Sequence, residues 1–121
     1  MKLASEINKI NEILSEYDSN KAKIWLFDIS HIKIAIKIFS AEDENIIYLV
    51  AAGCKYIKGF FSLQNPKFSI IQYFSEENLE TEFKIIDVNS DFELIATVGV
   101  ALAKGIETEF GDSFENFLRE N

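Results

Sequence analysis

The chain has very few of the side chains from which most metal and redox sites are built. Its 121 residues include one cysteine, Cys54, and one histidine, His31. One cysteine excludes an internal disulfide, and one histidine excludes metal sites that need several histidine ligands. Because Cys54 lies in an apolar, strand-like run, we expect an inert buried thiol there rather than a nucleophile. The sequence therefore predicts no metal and no cofactor.

Glycine is also scarce and scattered. The five glycines are not neighbours, so no phosphate-binding loop can be assembled from them. No nucleophile elbow, P-loop, dinucleotide fingerprint, zinc-protease motif or calcium loop occurs in the sequence. We therefore predict that the chain is not an enzyme. A small enzyme that uses only carboxylates, lysine or tyrosine is the residual alternative.

Long hydrophobic runs are absent. The longest apolar-rich run, residues 94–103, falls well short of the roughly 18 residues that span a membrane. Residues 1–10 mix charged side chains with isolated isoleucines and do not resemble a signal peptide. We expect a cytoplasmic protein without a membrane partner, folded as a single domain over 1–121.

Negative charge is abundant and uneven. The net charge is −8, and residues 76–121 hold twelve acids and three bases, whereas residues 1–75 hold eight acids and nine bases. This balance disfavours nucleic acid as a ligand and favours a basic protein. Solubility alone is the other explanation. We predict that ten acids contact the partner. They are Glu42, Asp43, Glu44, Glu76, Glu77, Glu80, Glu82, Glu107, Glu109 and Asp112.

Hydrophobic periodicity predicts one helix followed by strands. Residues 4–17 carry an apolar stripe with helical spacing, and after residue 20 the period changes from 3.6 to 2. Gly53 and Gly59 indicate bulges or bends in this strand region. The predicted strands are 23–29, 31–39, 46–52, 56–63, 68–74 and 83–88.

The C-terminal part is predicted to be helical. Ser90 and Glu93 match a capping box, which indicates a helix over 91–104 that ends at Gly105. The same pattern at Asp112 predicts a second, short helix. The fold class that follows is α+β: an N-terminal helix, an antiparallel meander of five or six strands, and two C-terminal helices packed on one face.

Several aromatic residues lie on strands that are apolar on both faces. With helices on one face only, the other face is expected to expose part of them, which is typical of a protein interface and often of a homodimer. The aromatic residues considered are Trp25, Phe27, Phe60, Phe61, Phe68 and Phe74.

The whole chain resembles the small acidic immunity proteins of bacterial polymorphic and contact-dependent toxin systems. The resemblance lies in its size, its acidity, the leading helix, the run of strands and the Ser90-Asp91-Phe92 segment. It implies a cytoplasmic inhibitor that covers the active surface of a cognate toxin, most simply a basic nuclease. A secretion or effector chaperone that binds an extended client segment is the alternative.

Overall fold

The computed structural model describes residues 1–110, which form one α-helix and an eight-stranded sheet. The elements are β1 (Lys2–Ala4), α1 (Ile7–Glu16), β2 (Lys21–Asp28), β3 (Lys33–Ser40), β4 (Asp43–Lys58), β5 (Ser62–Gln64), β6 (Phe68–Ser75), β7 (Glu80–Asp87) and β8 (Glu93–Ile106). A short 3₁₀ helix, Glu107–Glu109, follows β8.

All strand pairs are antiparallel, in the order β5-β2-β3-β4-β8-β7-β6, with β1 added to β8. Two meanders, β2-β3-β4 and β6-β7-β8, are joined because the long strands β4 and β8 pair with each other from Asn45↔Ile106 to Lys58↔Glu93. The sheet curls into a half-barrel. We call the side on which α1 packs the inner face.

Residues 93–106 form the strand β8, so the predicted helix over 91–104 is wrong. Alternate residues of this segment, including Leu94, Ala96 and Leu102, are buried on the inner face, and Ala103 is buried on the outer face. An apolar run that is buried on both faces satisfies a helical and a strand pattern equally well. Pairing with β4 on one side and with β7 and β1 on the other makes the segment a strand. Its β-branched residues agree with a strand, whereas Gly99 favours neither a helix nor a strand.

The predicted capping box is also wrong. The Ser90 hydroxyl donates to Asp87 Oδ2 at 2.7 Å and accepts from the Phe92 amide at 3.2 Å, so it stabilises the turn between β7 and β8. The second predicted helix, beginning at Asp112, lies outside the described residues. The α+β class with two C-terminal helices is wrong: residues 1–110 form a mostly β fold with one α-helix, near the N-terminus.

The first half of the chain agrees better with its predicted elements. Helix α1 falls within 4–17, and Ile34, Ile36 and Ile38 of β3 face the core as expected. The strand predicted over 56–63 is wrong, because β4 continues to Lys58 and β5 begins only at Ser62. The bulge expected at Gly53 is confirmed by a register shift between Ala52 and Cys54 and by a φ of 72°.

Two apolar clusters stabilise the sheet. On the inner face, Ile10, Ile13 and Leu14 of α1 belong to one buried cluster with side chains of β3, β4, β6, β7 and β8. On the outer face, Tyr48 is buried between Trp25 and Phe110, with ring centroids 4.2 and 4.3 Å away. Among residues 1–110, no helix is long and apolar enough to cross a membrane.

Candidate protein-binding surfaces

The first group of predicted acids lies where β3 turns into β4. Glu42, Asp43 and Glu44 are exposed there. Because Asn45 pairs with Ile106, the 3₁₀ helix lies at the same end of the sheet. Its acids are partly neutralised: Glu107 lies 3.5 Å from Lys37 Nζ, and Glu109 accepts from the Met1 amino group at 2.7 Å.

The second group lies on the turn between β6 and β7. Glu76 and Glu77 are exposed in the turn, whereas Glu80 and Glu82 belong to β7 and both contact Lys55. The first turn joins β3 to β4 and the second joins β6 to β7, and β4 and β7 lie on opposite sides of β8 in the sheet. The structure therefore divides the predicted acidic surface in two. Asp112 lies outside the described residues.

Of the predicted acids within residues 1–110, Glu82 alone has a buried side chain, with 5% of it exposed. It forms an ion pair with Lys55 of β4 and accepts hydrogen bonds from the Tyr73 hydroxyl of β6 at 2.8 Å and from Asn78 Nδ2 at 3.0 Å. Glu80 adds a weaker contact to Lys55 at 3.5 Å. This cluster ties three strands together on the outer face, and Glu82 is not available to a partner.

The electrostatics of this cluster favour structure over catalysis. The hydrogen bond from Lys55, followed by that from Tyr73, lowers the pKa of Glu82 below its usual value. The same bond to Glu82 raises the pKa of Lys55, and burial followed by the bond to Glu82 raises the pKa of Tyr73. A general base or acid needs a pKa near the working pH, and these shifts move all three groups away from it.

Cys54 and His31 lie in different environments. Cys54 is buried, and burial raises the pKa of its thiol to about 11, so it is protonated at neutral pH. His31 is exposed in the turn between β2 and β3, with Nδ1 3.1 Å from Asp28 Oδ2. Within residues 1–110, no group of three or more His, Cys, Asp or Glu side chains is placed to hold a metal ion.

Exposed apolar side chains gather at one end of the half-barrel. We call this surface the apolar rim. It comprises Phe27, Ile29, Ile32, Ile57, Phe60 and Phe61. Phe60 and Phe61 are the most exposed aromatic residues described, at 79% and 75%. The backbone brings these segments together, because Phe61 O accepts from Ile24 N on β2 and Ile32 O accepts from Cys54 N on β4.

The apolar rim continues the inner face beyond the core. Phe27 pairs with Ile34 and Ile57 pairs with Leu94, and both partners are buried on the inner face. Residues opposite each other in a sheet share a face, so Phe27 and Ile57 extend the core into solvent. The helix α1 packs mainly on β6, at the other side of the sheet.

Sequence reasoning identified part of this surface, but the expected face is wrong: exposure was predicted on the face away from the helices, whereas Phe27 and Ile57 lie on the inner face with α1. Of the aromatic residues considered, Phe27, Phe60, Phe61 and Phe74 are exposed, whereas Phe68 is buried and Trp25 packs on Tyr48. It missed the isoleucines of the apolar rim and the pairing of Lys55 with Glu82. The sequence signal that could have located the apolar rim is Gly59 followed by two phenylalanines. Gly59 has a φ of 124° and redirects the chain out of β4.

Chemically, these surfaces are suited to recognition: exposed acids on two turns, an apolar rim, and a buried ion pair that is already satisfied. No buried side-chain polar atom within residues 1–110 lacks a hydrogen-bond partner. Comparison of the sequence with models of protein families, with curated proteins and with solved structures found no match.

Proposed function

We propose that this chain is a cytoplasmic protein that binds and inhibits a basic partner protein, as small acidic immunity proteins inhibit their toxins. The active surface of a nuclease toxin is basic because it binds phosphates, and an exposed set of carboxylates complements it. On this proposal the chain performs no catalysis itself.

The observation that supports the proposal is that five of the predicted acids are exposed and free of ion pairs within the described residues. They are Glu42, Asp43, Glu44, Glu76 and Glu77. Asp43 accepts from the Asn45 amide at 2.9 Å, whereas no hydrogen bond holds the other four side chains within the described residues, so directing them at a partner costs little. They raise the rate of association with a basic protein, and salt weakens this effect.

The test uses the protein encoded next to this chain, which is a secreted toxin if the proposal is right. Its toxic domain is purified, and its association with this chain is followed by stopped-flow fluorescence at low and high salt. Changing Glu76 and Glu77 together to lysine is expected to lower the association rate constant by about tenfold at low salt. The same change at Glu42 and Glu44 shows which turn faces the partner.

A matched control makes the same change of charge elsewhere. Glu16 on α1 and Asp91 between β7 and β8 are exposed, form no ion pair within the described residues and lie on neither acidic turn. Changing both to lysine is expected to slow association much less than the Glu76 and Glu77 pair. If all three variants associate equally slowly, the net charge of the chain explains the effect and the position of the acids does not. Unchanged association rates in both acidic-turn variants would contradict the proposal.

The apolar rim favours a second candidate, a chaperone for a secreted client. At about 200 Å² for a fully exposed phenylalanine, Phe27, Phe60 and Phe61 alone leave roughly 400 Å² of apolar surface. The largest apolar patch on a typical monomer is about 300–600 Å², is often functional, and the isoleucines of the rim add to it here.

The two candidates differ in the state of the partner that binds. An inhibitor binds the folded toxic domain, whereas a chaperone binds unfolded segments. Binding of the neighbouring protein is therefore compared in its folded form and as a set of overlapping peptides. Changing Phe60 and Phe61 to serine is expected to abolish peptide binding if the chaperone candidate is right, and to leave electrostatic association with a folded toxin largely intact if the inhibitor candidate is right.

A further inference from the structure

The strand β6 ends the sheet, and the hydrogen bonds around it show which backbone groups face outward. Lys67 O, one residue before β6, accepts from Val88 N on the β7 side. The amide and carbonyl of Ile70 face the other way, because both bond to the Asn11 side chain, at 2.8 and 2.9 Å. Backbone groups alternate in direction along a strand, so those of Gln72 and Phe74 also face outward.

Gln72 and Phe74 present an unprotected length of sheet edge. Their two amides and two carbonyls form no backbone bond to another element within residues 1–110, and both residues are exposed. Asn11 covers the edge only at Ile70, where it makes the pair of bonds that a neighbouring strand would make. Exposed edges of this kind accept an additional strand, and most proteins protect them.

Carboxylates lie near both ends of the free edge, and Lys84 of β7 lies over the Tyr73 ring. A cavity of about 410 Å³ lies beside it. Its lining residues are Glu6, Ile7, Asn8, Asn11, Ile70, Ile71 and Gln72, of which Glu6 alone is charged. At the other end of the edge, Glu76 and Glu77 follow β6 directly and are exposed. A strand laid along Gln72 and Phe74 therefore meets carboxylates at both of its ends.

We propose that the outer edge of β6 binds an extended segment of a partner protein that carries lysine or arginine among apolar residues, as an added strand. The backbone groups of Gln72 and Phe74 supply up to four hydrogen bonds. Glu6 at one end and Glu76 and Glu77 at the other select a basic segment. This surface shares Glu76 and Glu77 with the proposed inhibitory function but does not rest on it, because it can be tested with a peptide alone.

A second copy of the chain fits this edge poorly. Antiparallel pairing of two copies through the same groups is centred on Tyr73 and sets Glu76 of each copy opposite Ile70 of the other. Ile70 and Glu6 line the same cavity, so Glu76 and Glu77 of one copy approach Glu6 of the other. Like charges that face each other weaken such pairing.

The test uses a synthetic peptide of about eight residues, a usual strand length, with alternating valine and lysine. Its binding to the whole chain is measured by NMR of the backbone amides and by amide hydrogen exchange. We expect saturable shifts and slower exchange at Gln72 and Phe74. A peptide of alternating valine and glutamate is expected to bind at least about tenfold more weakly.

Gln72→Pro removes one outward amide, which an edge strand tolerates because no bond within the sheet is lost. It is expected to weaken peptide binding by at least about tenfold, whereas Gln72→Thr, which keeps the amide, retains it. If Gln72→Pro fails to fold, Phe74→Lys provides the test, because a lysine on the edge repels the peptide.

Three outcomes overturn the proposal. The first is the absence of shifts at Gln72 and Phe74, or shifts confined to the apolar rim. The second is unchanged peptide binding by a folded Gln72→Pro or Phe74→Lys variant. The third is protection of these amides without peptide that grows with protein concentration, since a second copy would then occupy the edge. Failure of the toxin-binding experiment alone leaves this proposal intact.

Discussion

Replacing Gly53 by alanine probes the point at which β4 bends against β8. Gly53 has a φ of 72°, a left-handed conformation that costs other residues about 1–2 kcal/mol. An added Cβ would lie 2.7 Å from Val98 Cγ2, 2.9 Å from Thr97 Oγ1 and 3.0 Å from Val98 N. Overpacking of this kind typically costs about 1–3 kcal/mol. We expect Gly53→Ala to lower the free energy of unfolding by about 2–5 kcal/mol.

The two contributions can be separated. The Val98 side chain is 74% exposed and can move aside, whereas its backbone nitrogen cannot. Adding Val98→Ala to Gly53→Ala is therefore expected to recover part of the steric cost and none of the conformational cost. Gly99→Ala is the matched control, because an added Cβ there meets no atom within 4 Å. It is expected to leave stability unchanged or to raise it by up to about 1 kcal/mol.

Urea unfolding followed by the fluorescence of Trp25, which packs on Tyr48, measures these differences. A loss of about 3 kcal/mol lowers the urea midpoint by roughly 1–2 M for a domain of this size. If Gly53→Ala unfolds within about 0.5 kcal/mol of the unchanged protein, a positive φ and a close β4–β8 contact at this bulge are both refuted.

Three further predictions follow from the titratable groups. The pKa of Glu82 is lowered in the folded state, so its stabilising effect is present above pH 4.5, its ordinary pKa. The effect is lost as the pH falls through the lower pKa of the folded protein. Glu82→Gln should therefore flatten the fall of the urea midpoint on acidification. Burial, with Asp43 nearby, raises the pKa of Tyr17 to about 12. The neutral Tyr17 side chain therefore stabilises the fold below pH 10, and this effect is lost towards pH 12. Tyr17→Phe should remove that loss of stability from alkaline unfolding curves. The Cys54 thiol, with a pKa of about 11, should react with a disulfide reagent at least about a hundredfold more slowly in the folded protein than in urea, and equal rates would mean that it is not buried.

Local periodicity correctly predicted the elements that bury mainly one face. Helix α1 shows its apolar stripe in sequence, and β3 shows strict alternation at Ile34, Ile36 and Ile38. Both elements bury one face mainly, so the chain itself shows which period applies. β8 lies between β4 and both β7 and β1 and buries residues on both faces, so its period is hidden.

The candidate surfaces also differ in how far the local sequence could predict them. That Glu42 and Glu76 are exposed could be expected from polar turns, and the structure agrees. That Glu82 is buried could not, because its partners Lys55 and Tyr73 lie 27 and 9 residues away and meet it only through the pairing of β4, β8, β7 and β6. The outward direction of Gln72 is likewise a property of strand order.

The sequence by itself determined the chemistry open to this protein: a negative charge of −8, one thiol, one imidazole and an apolar content sufficient for a core. These are sums over side chains and do not depend on their arrangement. Only the tertiary structure decided that residues 93–106 form a strand, that the acids divide between two turns on opposite sides of β8, and that apolar residues remain exposed at the apolar rim. Each of these features depends on which strands pair, and those strands are distant in sequence. No local stretch of the chain therefore determines the free energy of their pairing.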